Sequence, residues 1–335
     1  MVEMIGEYVD RIVNLDVRGR GVIDALHRHA KEKMGGAVTL KAAEALKKAV
    51  SPGSNVIITT GFVLHPMQLR IGETDGPPGA VVLARALLEA FGAVPIILSE
   101  ESQRHPTEVE MIAVGLTPVS LQNVGVARDG GWTHTSVFLD FPLDEGEAMK
   151  RSSELISELE PSAIIAVEKP GKNKKGVHHS SKGFDISAEN VKVDFLIEEA
   201  KNQNILTVGI GDGGNEIGFG LIEDAARKYV PYGAKCQCPC GAGIITSTAT
   251  DNLVTAGVSN WGAYGIVACL AALLEKTEIL HTGPRERNIL VEGTKAGLVG
   301  TVTRKHLFQA DSLDVETHEQ IVELMRTTVI RSLEK

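Results

Sequence analysis

Aromatic side chains are scarce: two Trp, four Tyr and eight Phe amount to 4% of 335 residues. The chain therefore has few of the rings on which single-stranded nucleic-acid binders stack bases. Basic charge is in deficit as well, with 34 Lys and Arg against 43 Asp and Glu and a formal net charge of −9. Binding to a nucleic-acid backbone or an anionic membrane needs a basic surface, so neither is expected as a partner. Long apolar runs are missing too, since the longest nearly apolar stretch, 261–274, is too short to span a bilayer. The opening "MVEMIGEYVDRIVNLD" mixes charges throughout, so no export signal is expected and the expected location is cytoplasmic. G-x-S-x-G, H-E-x-x-H and Walker-type loops are absent, which removes three common catalytic signatures. Cysteine is sparse: Cys236, Cys238 and Cys240 sit in "CQCPCG", and the fourth is Cys269. No C-x-x-C or H-x-x-x-H lies near enough in sequence to complete four metal ligands. Three sulfurs converging on a metal, a disulfide between two of them, and an inert loop are the readings of that stretch.

What is present is an ordinary globular composition, 43% hydrophobic and 23% charged, long enough to bury a sizeable core. Apolar, β-branched runs recur at 55–60, 94–98, 136–141, 163–168, 205–211, 243–248 and 288–293. Helix-period segments are expected at 76–92, 144–159, 188–202, 216–228, 260–276 and 316–333, with two more helices before the first strand, one of them over 39–50. Strands buried on both faces and alternating with helices predict an α/β fold: a mostly parallel β-sheet flanked by helices on both faces, in three α/β/α layers. No repeat or linker divides the chain. A single α/β domain over 1–335 is expected, with a helical segment over about 1–50 leading into a sheet-based core.

In such sheets the loops at the carboxyl ends of the strands form the binding crevice. "IGETDGPPG" places Glu73 and Asp75 at i and i+2, able to offer two hard oxygen ligands to one side, although Thr74 or Asp75 also suits the N-cap of a helix opening with Pro77 and Pro78. "EKPGKNKKGVHHSSKGFD" gathers Lys169, Lys172, Lys174, Lys175 and Lys182 with His178 and His179, a local cationic loop that would draw in carboxylate or phosphate. Within it, Glu168 and Lys169 adjoin the strand end. "TATDNLVTAGVSNWGAYG" sets Ser259 and Asn260 before a helix whose small residues allow close packing, so Trp261 and Tyr264 are expected in the core.

"LTVGIGDGGNEIGFG", 206–220, holds a literal G-x-G-x-x-G at Gly209, Gly211 and Gly214. A dinucleotide site would need an acid at a second strand end about 20 residues on, and that distance lands in "YVPYGAKCQ". Asp212 would also set its charge against the pyrophosphate. Neither a nicotinamide nor a flavin dinucleotide is therefore expected. A carboxylate among glycines at a strand end suits a metal ion or an ammonium group, with Glu216 near the opening of the next helix. The plainer alternative is that Asp212 and Asn215 cap that helix.

Taken in order, "GETDGPPGA", "EKPG" followed by "HHSSKGFDIS", "GIGDGGNEIG" and "VSNWGAYG" resemble the D-glutamate cyclase C-terminal domain family, formerly a domain of unknown function. Eukaryotic members carry a second, N-terminal domain, so this chain is expected to be a stand-alone member. The resemblance implies conversion of D-glutamate to 5-oxo-D-proline and water, with a small acidic metabolite as partner. Mn²⁺ or Mg²⁺ held by Asp212, Asp75 and Glu73 or Glu168 would polarise the reacting carboxylate. Glu216 would shuttle the proton, Lys169 and the N–H groups of the glycine turn would bind the α-carboxylate, and the catalytic candidates are Asp212, Glu216 and Lys169. Thr60, Gly61, Gly213, Gly214, Asn215, His178 and Asn260 are the candidate substrate contacts. The alternatives are a metal-dependent hydrolase or transferase acting on a phosphorylated metabolite through the lysine loop, and a non-catalytic protein that holds an acidic amino acid. A homo-oligomer is expected on general grounds.

Overall fold

Successive side chains of "NVIITT" leave the backbone on opposite faces: Val56 and Ile58 enter one buried cluster and Ile57 another, as the two-residue period of a strand requires. The computed structural model of the protein describes residues 1–64 and 66–334. Its sheet contains β1 (Asn55–Thr60), β2 (Val94–Ser99), β3 (Thr117–Pro118), β4 (Thr135–Asp140), β5 (Ala163–Val167), β6 (Leu206–Gly211) and β7 (Asn252–Thr255), in the order β3-β4-β2-β1-β5-β6-β7 and parallel throughout. A two-residue antiparallel hairpin, β8 (Gln309–Ala310) with β9 (Leu313–Asp314), stands apart from it.

Three helices precede the sheet where two were expected: α1 (Val2–Val13), α2 (Ile23–Met34) and α3 (Val38–Ala49). They are followed by α4 (Pro77–Phe91), α5 (Arg104–Val114), α6 (Val124–Asp129), α7 (Glu145–Leu159), α8 (Asp194–Asn202), α9 (Glu223–Tyr229), α10 (Ser259–Leu274), α11 (Gly283–Lys295) and α12 (Val315–Leu333). Side chains from α1, α3, α4, α10 and α12 cover one face of the sheet, and α7 and α8 cover the other. The result is the three-layer α/β/α arrangement. No described helix is long and apolar enough to cross a membrane.

α10 is the keystone of the first layer. Its residues from Ser259 to Ala272 are all buried, including Trp261 and Tyr264, and small side chains let neighbours approach: a Cβ on Gly265 would stand 2.8 Å from Thr39 and 2.9 Å from Val13. The polar atoms of its aromatics are satisfied, Trp261 Nε1 by His318 Nδ1 at 2.9 Å and Tyr264 Oη by Glu286 at 2.6 Å.

Several sequence-based boundaries differ. The run 288–293 lies inside α11, whose Pro284 near the N-terminus is a helix-start feature; a six-residue apolar run has no period of its own to tell strand from helix. The run 243–248 is a loop. Its N–H groups go to scattered carbonyls, Ile244 to Tyr232, Thr246 to Gly214 and Ser247 to Lys172, not to a ladder, and β7 follows it instead. The helix expected over 216–228 begins only at Glu223, and that over 188–202 at Asp194.

Candidate active site

The sheet reverses its direction of growth between β1 and β5. The chain builds outward from β1 to β2 and β4, then returns to place β5 on the other side of β1. Connections diverging from such a point open a crevice at the carboxyl ends of the strands. The loop after β1 brings Glu73 and Asp75 to it, the loop after β5 brings Glu168, and the loop after β6 brings Asp212 and Glu216. Two distant segments close it: the α1–α2 connection supplies Arg18 and Arg20, and the β8–β9 turn supplies Asp311. Asp311 and Ser312 both have positive φ, 51° and 68°, as the tight two-residue hairpin turn favours. The cavity so formed has a volume of about 310 Å³, and its lining includes Arg18, Arg20, Glu73, Glu168, Asp212, Asn215 and Glu216, a size suited to a small metabolite.

The glycines of the β6 turn make room for the chain itself. After Asp212 the backbone doubles back over its own strand. A Cβ on Gly209 would fall 2.7 Å from the Cα of Gly218, and one on Gly211 would fall 2.7 Å from the Phe219 ring and 2.9 Å from Glu216 Cβ. The returning segment is held by Lys169, whose carbonyl accepts from Ile217 N at 2.8 Å, and by Gly171 N donating to the Asn215 carbonyl at 2.9 Å. Glu216 thereby points back into the turn, where its carboxylate accepts from Gly213 N at 3.0 Å and Gly214 N at 2.7 Å. The N–H groups expected to hold a substrate carboxylate are occupied by a carboxylate of the protein. Glu216 therefore sits well before the helix rather than at its opening.

Asp212 is the electrostatic centre. Arg20 Nη1 donates to its Oδ2 at 2.5 Å and Arg18 Nη1 at 3.0 Å, while Arg20 Nη2 reaches the Asp212 carbonyl and Arg18 also pairs with Asp311. Six buried carboxyls, Glu73, Asp75, Glu168, Asp212, Glu216 and Asp311, thus face two guanidiniums. Burial, reinforced by neighbouring acids, pushes Glu73 and Glu168 well above the usual carboxylate range. Burial and the Asp212 charge carry Asp75 and Glu216 up to about 7, against opposing hydrogen bonds. Burial disfavours the Arg20 charge, but Asp212, Glu216 and Glu168 more than offset it and raise its pKa.

Other sequence candidates do not line the cavity, although Asp75 stands directly behind it with a carboxylate oxygen within 4.8 Å of those of Asp212 and Asp311. Asp75 accepts from Ser259 N at 3.0 Å and Asn260 N at 2.9 Å, capping α10, while Asn260 Oδ1 accepts from Gly76 N at 2.9 Å and Gly79 N at 2.8 Å, capping α4. Each helix is capped from the other's N-terminal turn, so neither Thr74 nor Asp75 caps its own. Asn260 Nδ2 donates to the Thr74 carbonyl at 2.9 Å, which commits the whole amide. Lys169 is fully buried, with Nζ 2.6 Å from Glu100 Oε1 and 3.1 Å from the Gly61 carbonyl. Its ammonium ties the ends of β1 and β2 together and does not line the cavity. Thr60 and Gly61 lie beside it, behind the cavity wall. His178 Nε2 is 2.7 Å from Asp194; burial works to raise the Asp194 pKa, but His178, Thr248 and Lys172 N hold it down to about 2. Of the five lysines in the loop, Lys172 pairs with Glu198 and Lys174 with Glu223, and Lys182 lines the cavity. Arg18, Arg20 and Asp311 were not anticipated; the signal in "DVRGRG" is a pair of arginines at i and i+2 among glycines between two helical segments.

A model of the D-glutamate cyclase-like C-terminal family matches residues 9–326. The chain belongs to this family. The match spans the whole cleft, from Arg18 to Asp311. Among curated relatives, the chain is 28% identical over 266 residues to "D-glutamate cyclase, mitochondrial" of Homo sapiens, an alignment covering 79% of this chain and 38% of that protein. The chain therefore spans well under half the length of that relative.

In this member of the family the donor set fits a hard divalent cation. Ligand atoms of Glu168, Asp212 and Glu216 lie within 4.8 Å of one another, as do those of Asp75, Asp212 and Asp311. All are oxygens, all are buried, and their charge exceeds that of the two arginines, a surplus that only protons or a cation can offset in a low-dielectric cleft.

Proposed function

We propose that the chain is a cyclase-like lyase that closes D-glutamate to 5-oxo-D-proline with loss of water, assisted by Mn²⁺ or Mg²⁺. The observation that carries this reading is the buried cleft itself, with surplus carboxylates around Asp212, two arginines, and one uncommitted acceptor. That acceptor is Asn215 Oδ1, a buried atom without a hydrogen-bond partner in a residue that lines the cavity. An unpaired buried acceptor is costly, and a substrate ammonium would satisfy it.

The reaction sets a clear proton balance. The substrate ammonium carries three hydrogens and the product lactam nitrogen one; a C–N bond forms, a carboxyl C–O bond breaks, and both departing protons leave with the oxygen as water. A group that takes a proton from nitrogen and returns it to oxygen must titrate near neutrality and face the cavity. Glu216, raised to about 7 and lining the cavity, meets both conditions. Glu168, in the left-handed region at φ 48° beyond the end of β5, also faces the cavity and is held by Ser259 Oγ. Arg18 and Arg20, which line the cavity, would hold the substrate α-carboxylate, the role expected of Lys169. Asp212, common to both carboxylate groups, would hold the metal with Glu168 and Asp75, and Glu73, anchored by Thr301, would add negative charge behind them. The metal, when bound, would offset the charge of the reacting carboxylate and make it a better electrophile.

Incubation with D-glutamate or L-glutamate, each with Mn²⁺, Mg²⁺ or chelator, followed by chiral detection of 5-oxoproline, tests this reading. Metal-dependent product from the D isomer is expected. Product no faster than the spontaneous rate under every condition overturns it, and binding of D-glutamate without turnover would then point to a holding role.

A further inference from the structure

The cysteine stretch that no local motif completes gains a fourth ligand from the loop after β5. His179, 59 residues from Cys238 in sequence, places Nε2 3.2 Å from Cys238 Sγ and 3.6 Å from Cys240 Sγ. Cys236 Sγ lies 3.5 Å from Cys238 Sγ and 3.3 Å from Cys240 Sγ, and all four ligand atoms fall within 4.8 Å of one another. None of the three cysteines is in a disulfide. A tetrahedral zinc ion with Zn–S near 2.3 Å and Zn–N near 2.0 Å sets S–S edges of about 3.8 Å and S–N edges of about 3.5 Å, within about half an ångström of the observed spacings. The geometry points to a structural Zn²⁺ site formed by His179, Cys236, Cys238 and Cys240, separate from the carboxylate cleft.

The surroundings agree with that chemistry. His179 Nδ1 lies 3.1 Å from the Val177 carbonyl, an interaction that puts the proton on Nδ1 and leaves the Nε2 lone pair facing the sulfurs, as metal-bound imidazoles are held. Asn173 Nδ2 approaches Cys240 Sγ at 3.5 Å, a donor suited to a thiolate. Three sulfurs and one nitrogen select zinc over the hard ions that the cleft would take, and four protein ligands leave no open position for catalysis. The site is a fastener. Ser180, Ser181 and Lys182 follow His179 directly and line the cleft, as do Val230 and Pro231 ahead of the cysteines. Between them, Gln237 N donates to the Gly183 carbonyl at 3.0 Å, and Asn215 Nδ2, from the turn after β6, donates to the His179 carbonyl at 2.9 Å. Zinc would lock these two loops together as one wall of the active-site cleft.

Elemental analysis of the purified full chain, with Co²⁺ exchange followed by absorption spectroscopy, tests the site without relying on activity. About one equivalent of zinc is expected, with Co²⁺ giving the visible bands of tetrahedral thiolate coordination. Cys238→Ser and His179→Ala are expected to lose most of the metal, Cys269→Ser to retain it, and Asp212→Asn to retain zinc while losing Mn²⁺ or Mg²⁺ binding. Wild-type chain that folds without zinc, gives no thiolate–Co²⁺ signal, or pairs Cys236 with a neighbour in a disulfide overturns the proposal, and these measurements need no variant to fold. The outcome is independent of the substrate assigned to the cleft.

Discussion

Asp212 touches both arginines and belongs to both carboxylate groups, so its removal separates the roles of the cleft better than any other change. Asp212→Asn keeps the shape, removes the charge that Arg18 and Arg20 share, and is expected to abolish metal-dependent turnover and Mn²⁺ binding by calorimetry. Unchanged values for both would remove the centre of the proposed mechanism. Glu216→Gln is expected to slow turnover by about 10²–10⁴-fold, the usual worth of an acid–base group, while D-glutamate still binds; a rise in KM with kcat intact would count against the shuttle. Asp212 and Glu168 were legible in the sequence as strand-end acids because each directly follows an apolar run, and Glu73 and Glu216 because they stand in the loops that follow β1 and β6. Arg18, Arg20 and Asp311 were not, because no local pattern tells a solvated charge from one that folds back across 192 to 293 residues to reach its partner. Lys169 had the right address and the wrong direction: its side chain went under the strand ends to Glu100.

The reciprocal capping of α4 and α10 joins the loop after β1 to the helix after β7 and so fixes the back of the cleft. Asn260→Ala leaves Gly76 N, Gly79 N and the Thr74 carbonyl without partners and is expected to destabilise the chain by about 1–2 kcal/mol or more, read as a lower denaturation midpoint at constant slope. An unchanged midpoint would show that the caps are replaced by water. The two prolines starting α4 and the glycine ending it were sufficient to place that helix, and α7 and α12 were equally readable, each with an N-capping Asp. Where elements were misplaced, the apolar run was short and the deciding information was non-local. The stretch 243–248 has the composition of a strand but meets the turns of two other loops, and the segment after Asp212 becomes a return loop because Gly209 and Gly211 let it pass.

Across the whole molecule, the surplus of buried acid makes a prediction about pH. A carboxyl raised in the folded state is protonated there while its unfolded counterpart is ionised, so its contribution is fully present below the unfolded pKa and is lost as pH rises through the folded value. For Asp75 and Glu216, from about 4 up to about 7, the window lies below neutrality. Burial lowers the imidazoles of His27, His179, His281 and His318, which favours the folded state as pH rises towards about 6.5 and opposes the carboxyls below that point. Metal-free protein is therefore expected to melt at progressively lower temperature from about pH 6.5 to about pH 8, and Mn²⁺ or Mg²⁺ to flatten that slope by replacing the lost protons. Asp194, depressed to about 2, acts only in stronger acid. A melting temperature that is level across the window in chelator would contradict the assigned electrostatics. The three-layer plan was readable at this scale because parallel strands buried on both faces leave long β-branched runs, whereas the reversal point between β1 and β5 required the pairing order. The contacts of Arg18 with Asp212 and Asp311 have a consequence for biosynthesis. Arg18 waits through nearly 300 residues for Asp311, so a nascent polypeptide can assemble its sheet on the ribosome while the cleft stays incomplete until Asp311 has been made.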